Sequence, residues 1–223
     1  MFELHVSRVG SGPVIVASHG VGSSGAVWDA MASVLSQNYE VVAWDQPGHG
    51  ASKHLDDPTA YSAATPYEAL VQVVDDARTA NERVILLGHS LGGYISARYA
   101  IDHPDHVAAL ILISTGPGFR SDDARDKWNR DIVRQSERRS RPEMLVGLHA
   151  DAYVIDHLSD ISCPTLAMVG SDDAAFVGAT EYVAKKIPEA ESFTLVGAGH
   201  NAPTTHGEEL AAVASRFLTS RLS

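Results

Sequence analysis

The 223-residue chain is 44% hydrophobic and 20% charged, the composition of a globular protein of about one domain at roughly 100–200 residues per domain. Its 17 Lys+Arg against 28 Asp+Glu leave a formal charge of −11, a field that repels phosphate backbones and anionic membranes, so neither nucleic acid nor a membrane is expected as a partner. No apolar stretch approaches the ~18 residues of a membrane span, and the stretch MFELHVSRVG has neither the basic nor the apolar region of a secretory signal. The single cysteine, Cys163, cannot form an internal disulfide. Together these lead to the expectation of a cytoplasmic protein; monomer and homo-oligomer are both left open.

Residues 2–9 alternate apolar with polar, which predicts an antiparallel edge strand. Apolar, Val/Ile/Leu-rich runs follow at 14–18, 40–44, 83–88, 107–114, 165–170 and 192–196, as expected of strands covered on both faces. Helical periodicity fills the gaps at 27–37, 66–80, 91–102, 176–187 and 208–219. Thr65 followed by Pro66 reads as an N-cap and first helical residue, while Pro104 and Pro188 close two other helices. Strands alternating with helices specify an α/β fold, a mostly parallel twisted sheet with helices on both faces.

One interval, from Gly116 to about Ser162, offers no strand. Its Arg120, Arg125, Lys127, Arg130, Arg134, Arg138, Arg139 and Arg141 face only five acids, so residues 120–141 carry +3 and the remainder −14. An insertion of this length between parallel strands predicts a small helical cap, residues 117–162, on a core formed by 1–116 and 163–223.

The strongest chemical signal is RVILLGHSLGG at 83–93, an apolar strand running into Gly88-His89-Ser90-Leu91-Gly92 and then a helix. Glycines flanking Ser90 permit a sharp turn that exposes its hydroxyl, and helix N-terminal amides, Leu91's among them, point where negative charge would develop. A serine hydroxyl needs a base oriented by a carboxylate. In this topology acid and base follow on later loops, and Ser171-Asp172-Asp173 comes after the run at 165–170, with Gly197-Ala198-Gly199-His200 after 192–196. His206, beside the helix start at Gly207, competes with His200 but reads as a surface residue. His19 and His89 read as structural hydrogen-bonding groups near the site. Neither a cofactor nor a metal is called for.

With these residues the chain resembles the α/β-hydrolase superfamily, particularly serine carboxylesterases and 3-oxoadipate enol-lactonase-like hydrolases, along nearly its whole length. His19-Gly20-Val21-Gly22 resembles the family's oxyanion motif, which makes the Val21 amide the second donor beside Leu91's. Asp45-Gln46-Pro47-Gly48-His49-Gly50-Ala51-Ser52 resembles a structural loop of the family. Gly88 to Gly93 matches its nucleophile elbow, and the spacing Gly170-x-x-Asp173 favours Asp173 over Asp172 as the acid, although Ala174 stands where the family often has proline.

The resemblance thus implies a Ser90-Asp173-His200 triad, oxyanion amides of Val21 and Leu91, and hydrolysis of a small ester or lactone through an acyl-enzyme. C–C bond hydrolases, thioesterases and cofactor-free haloperoxidases share such a triad, and non-catalytic receptors share the scaffold. Serine rather than aspartate at the elbow argues against epoxide and haloalkane chemistry. Trp128, Phe119, Tyr94 and Trp28 are the expected substrate-binding residues, with Val21 beside them. Ile132, Met144, Leu145, Leu148, Tyr153 and Val154 either line an acyl pocket or pack the cap onto the core. The cap arginines read as a solvated face of ion pairs, with recognition of an anionic substrate as the alternative.

Overall fold

The computed structural model describes residues 1–79 and 82–222, so Ala80, at the end of the expected helix 66–80, lies outside the described residues. Among the described residues seven strands form one sheet. In chain order the elements are β1 (Val6–Val9), β2 (Val14–Ser18), α1 (Asp29–Leu35), β3 (Glu40–Trp44), α2 (Thr65–Ala77), β4 (Val84–His89), α3 (Leu91–Asp102) and β5 (Val107–Ile113). Then follow α4 (Asp122–Arg139), α5 (Tyr153–Asp156), β6 (Thr165–Gly170), α6 (Val177–Lys186), β7 (Glu191–Leu195), α7 (Ala202–Thr205) and α8 (Gly207–Leu222).

The strand order is β1-β3-β2-β4-β5-β6-β7, with only β1 antiparallel to its neighbour. The edge strand is shorter than the alternation at 2–9 suggests. Phe2 leaves the ladder to donate its amide to the Gln72 side chain, and His5 donates to the Ser52 hydroxyl. Thr65 is the first residue of α2 rather than its cap: its hydroxyl accepts from the Ser62 amide, which draws the helix start back by one position.

Alternation along the central strands divides the core between the two faces. Val16, Leu86, Leu110 and Leu112 pack with α2 and α3, while Ile15, Ala17, Ile85, Leu87, Ile111 and Ile113 pack against α1 and α8. Because the strands of such a sheet are buried on both sides, nearly every position is apolar. Val21, Ser90, Asp173 and His200 fall in loops leaving the carboxyl ends of β2, β4, β6 and β7, the edge at which open parallel sheets bind ligands.

Between β5 and β6 come α4, a 3-10 helix at Pro142–Gly147 and the short α5. Helix α4 carries its own start and stop signals: Ser121 accepts from the Ala124 amide, Asp122 and Asp123 occupy the first turn, Arg138 and Arg139 the last, and Ser140 turns left-handed at φ 51°. Helix α5 docks on α3 through Asp102, whose carboxylate accepts from the hydroxyls of Tyr67 and Tyr153 at 2.5 and 2.8 Å. The Arg98 guanidinium lies between those two rings, 5.1 and 4.8 Å from their centres.

Candidate active site

Strand β4 ends at His89, and the chain then reverses into α3 within one residue. Ser90 makes that turn at φ 54° and ψ −120°, a conformation that L residues adopt only at a cost. The surroundings enforce it: the Ser90 amide donates to the Ile113 carbonyl at 3.0 Å, and its carbonyl accepts from the Thr115 hydroxyl at 2.7 Å. Helix α3 can approach only because residue 92 is glycine. A Cβ there would sit 1.9 Å from the Ser18 carbonyl oxygen at the end of β2. The same crowding brings the loop after β2 over the N-terminus of α3, with Val21 and Leu91 bordering one cavity. Among the described residues neither of their amides meets an acceptor.

That loop is held from below by His19. The Gln46 amide donates to His19 Nε2 at 2.9 Å, so the ring proton must sit on Nδ1, which donates to the Gly20 carbonyl at 2.7 Å. Burial pushes the His19 pKa down to about 4, keeping the neutral tautomer that this bridge requires. The Asp45 carboxylate accepts from the Gly25 and Ala51 amides at 2.5 and 2.8 Å, closing the neighbouring loops onto each other.

His200 lies on the loop after β7. Its Nδ1 is 2.9 Å from Asp173 Oδ2, and its ring stacks on Phe176 with centres 4.6 Å apart. His89 Nε2 donates to the His200 carbonyl at 2.8 Å, tying this loop to the residue next to Ser90. Burial and the neighbouring His200 push His89 down to about 4, so that it stays neutral in this role. Asp173 is 5% exposed, whereas Asp172 is on the surface and pairs with the Ser171 hydroxyl. Among the described residues Ser90 Oγ makes no hydrogen bond to His200, whose Nδ1 is held by Asp173. His206 bonds instead to the Thr205 hydroxyl, away from this constellation.

Ser90 opens into a cavity of about 240 Å³ at the boundary between the sheet and residues 117–149, with Val21, Tyr94, Phe119, Trp128 and Phe176 among its walls. Trp28 is not among them. It belongs to a 3-10 turn, Gly25–Trp28, that folds its ring under the sheet against α1, fully buried with Ile15, Ala17 and Met31. Ile132, Met144, Leu145, Leu148, Tyr153 and Val154 do not border the cavity. Ile132, Met144 and Val154 are buried in packing away from it.

None of the eight basic residues at 120–141 lines the cavity either. Arg125 pairs with Asp122, Arg134 with Asp131, Arg120 with Asp156 and Arg141 with the buried Glu143. Three groups at the site went unmarked in the sequence reading: Thr115, Phe176 and His149, which joins Tyr94, Phe119 and Trp128 in the cavity wall. The first two have a signal in hindsight, since each lies on a loop leaving the carboxyl end of a strand.

A profile of the alpha/beta hydrolase fold family matches residues 13–157. The chain belongs to that family. Over its length this hydrolase-fold chain is similar to a pimeloyl-[acyl-carrier protein] methyl ester esterase of Aeromonas hydrophila, at 26% identity covering 97% of this chain and 99% of that one. Among solved structures it resembles a thermophilic esterase from Thermogutta terrifontis, with a TM-score of 0.84, 22% identity and coverage of 100% and 95% of the two chains. It also resembles the enol-lactonase from Burkholderia xenovorans LB400, with a TM-score of 0.76, 21% identity and coverage of 98% and 97%. Among the described residues no helix is long and apolar enough to cross a membrane.

Proposed function

We propose that the chain is a serine hydrolase that cleaves a small carboxylic ester or lactone through an acyl-enzyme. The observation that carries this reading is the buried Asp173 carboxylate on Nδ1 of His200, whose loop is tied by His89 to the strained turn at Ser90. Ester-cleaving relatives over the whole length of the chain support it.

In this mechanism Ser90 Oγ attacks the carbonyl carbon as His200 Nε2 takes its proton, and Asp173 fixes the tautomer and stabilises the imidazolium. The oxyanion that forms receives the amides of Val21 and Leu91. Collapse expels the alcohol oxygen with the proton from His200, leaving the acyl group on Ser90. A water then repeats the sequence, its proton going to His200 and its oxygen to the acyl carbon. For a lactone the leaving oxygen stays attached to the acyl chain, so the product is one hydroxy acid.

Residues 117–162 act as a cap over the core formed by 1–116 and 163–223, placing Phe119 and Trp128 over the acyl group with Tyr94. A cytoplasmic location suits the single cysteine, buried and with its thiol pushed up to about 11 by desolvation. The test is hydrolysis of p-nitrophenyl acetate and butyrate, with labelling by a fluorophosphonate. Ser90→Ala should abolish both while circular dichroism stays unchanged. Absence of labelling and turnover in the wild-type protein would point instead to a ligand-binding protein on a hydrolase scaffold.

A further inference from the structure

His149 is built into the cavity in a way that the triad does not require. Its backbone is clamped from both sides by one side chain of α4: its amide donates to Asn129 Oδ1 and its carbonyl accepts from Asn129 Nδ2, both at 2.9 Å. Its ring is walled by Tyr94, Phe119 and Trp128, with ring centres 4.4, 5.4 and 5.9 Å away. Gly118, at φ +84°, closes the remaining side. A Cβ at that position would stand 3.2 Å from His149 Nδ1 and 3.1 Å from the Tyr94 ring.

An imidazole so enclosed is expensive to leave unmatched, because the neutral ring always offers one N–H and one lone pair. Residue 149 is only 9% exposed, and of its two ring nitrogens Nδ1 alone is fully sealed, with no partner. Burial, reinforced by Arg125 and opposed by Asp151, pushes the pKa down to about 4, so the ring is neutral near pH 7. A sealed lone pair is tolerated better than a sealed N–H. The proton therefore belongs on Nε2, and His149 lines the same cavity as Ser90.

We propose that His149 is a specificity-determining residue, donating from Nε2 to an acceptor oxygen carried on the acyl part of the substrate beyond the carbonyl that Ser90 attacks. The ligand class is a short acyl ester, or the corresponding lactone, bearing a keto, ether or second ester oxygen. Its acyl group is limited in size by a cavity of about 240 Å³. Tyr94, Phe119 and Trp128 surround the apolar remainder. This inference rests on the ester-hydrolase reading above.

The test compares kcat/KM for p-nitrophenyl pentanoate with that for its 3-oxo and 4-oxo analogues. Sites built to hydrogen-bond a substrate group discriminate strongly against analogues that lack it. At least one oxo ester should therefore exceed pentanoate by about tenfold or more in the wild-type protein, beyond the ratio of their spontaneous hydrolysis rates. His149→Phe should bring that excess to about one by losing about tenfold more activity on the oxo ester than on pentanoate. Equal preference in the wild-type protein, or an excess unchanged by His149→Phe, overturns the assignment. If His149→Phe does not fold, the affinities of Ser90→Ala for ethyl 3-oxopentanoate and ethyl 4-oxopentanoate against ethyl pentanoate replace it. About tenfold tighter binding of at least one oxo ester is expected, and parity of both with pentanoate overturns the proposal. Failure of the wild-type protein to cleave all three esters is a distinguishable result that removes the hydrolase reading and the assignment with it.

Discussion

Three neutral histidines buried around one site make the fold sensitive to mild acid. His19, His89 and His149 each sit at about 4 instead of 6.5, mainly through desolvation. Between those values the unfolded chain binds protons that the native chain refuses, so stability falls as pH falls. The loss begins below pH 6.5 and is complete near pH 4. Each unit of pKa difference is worth about 1.4 kcal/mol, so each ring stands for about 3 kcal/mol over the full range. At pH 5 the unfolded rings are almost fully protonated and the native ones are not, which costs about 2 kcal/mol apiece and about 6 kcal/mol together relative to pH 7.5. That is a large share of the 5–15 kcal/mol available to a typical domain.

Urea unfolding followed by circular dichroism at constant ionic strength, at half-unit steps from pH 7.5 to 5, reads this directly. The midpoint should drop by roughly 2 M if m is near 3 kcal/mol/M. His49, pushed down by burial as well, adds to the same limb. His149→Phe removes one contributor, so the stability lost across the interval should shrink by about 2 kcal/mol. A stability constant within about 1 kcal/mol from pH 7.5 to 5 would show that these rings are not held neutral, and the reasoning about His19 and His89 as fixed donors would fall with it.

Other outcomes follow from single contacts. Asp173→Asn should reduce ester turnover by several orders of magnitude because it loses the carboxylate on His200 Nδ1, while Asp172→Asn, on the surface, should change kcat less than about threefold; steady-state kinetics of the pair separates the two. Gly92→Ala drives a Cβ into the Ser18 carbonyl. It should cost about 3 kcal/mol or more, seen as a fall in Tm of roughly 6–12 °C, and a Tm within 2 °C of wild type would contradict the packing. Asp45→Ala leaves the Gly25 and Ala51 amides without their charged acceptor and should cost about 3–6 kcal/mol in urea unfolding, at roughly 1.5–3 kcal/mol for each bond.

The fold was legible because two periodicities dominate it. Doubly covered strands must be apolar at consecutive positions, and helices must place apolar residues on one stripe, so the runs at 14–18, 40–44 and 165–170 coincide with β2, β3 and β6. The positions of Ser90, Asp173 and His200 could be read for a related reason. In a parallel sheet each loop that follows a strand opens on the same edge, so chain order stands in for spatial proximity.

Where that substitution fails, the reading fails too. Trp28 lies one short turn beyond the loop after β2, and nothing in its identity says that the 3-10 turn carries the ring beneath the sheet instead of over it. His149 is harder still. No periodic pattern marks it, and what defines it comes from three separate places: the Asn129 clamp and the Trp128 indole from α4, the Tyr94 ring from α3, and the Phe119 ring and the bare Cα of Gly118 from the loop after β5. Local pattern exposes residues that act through their place in the chain. A residue that acts through an enclosure assembled from distant segments becomes visible only when its unmatched nitrogen is counted against every neighbour in the folded chain.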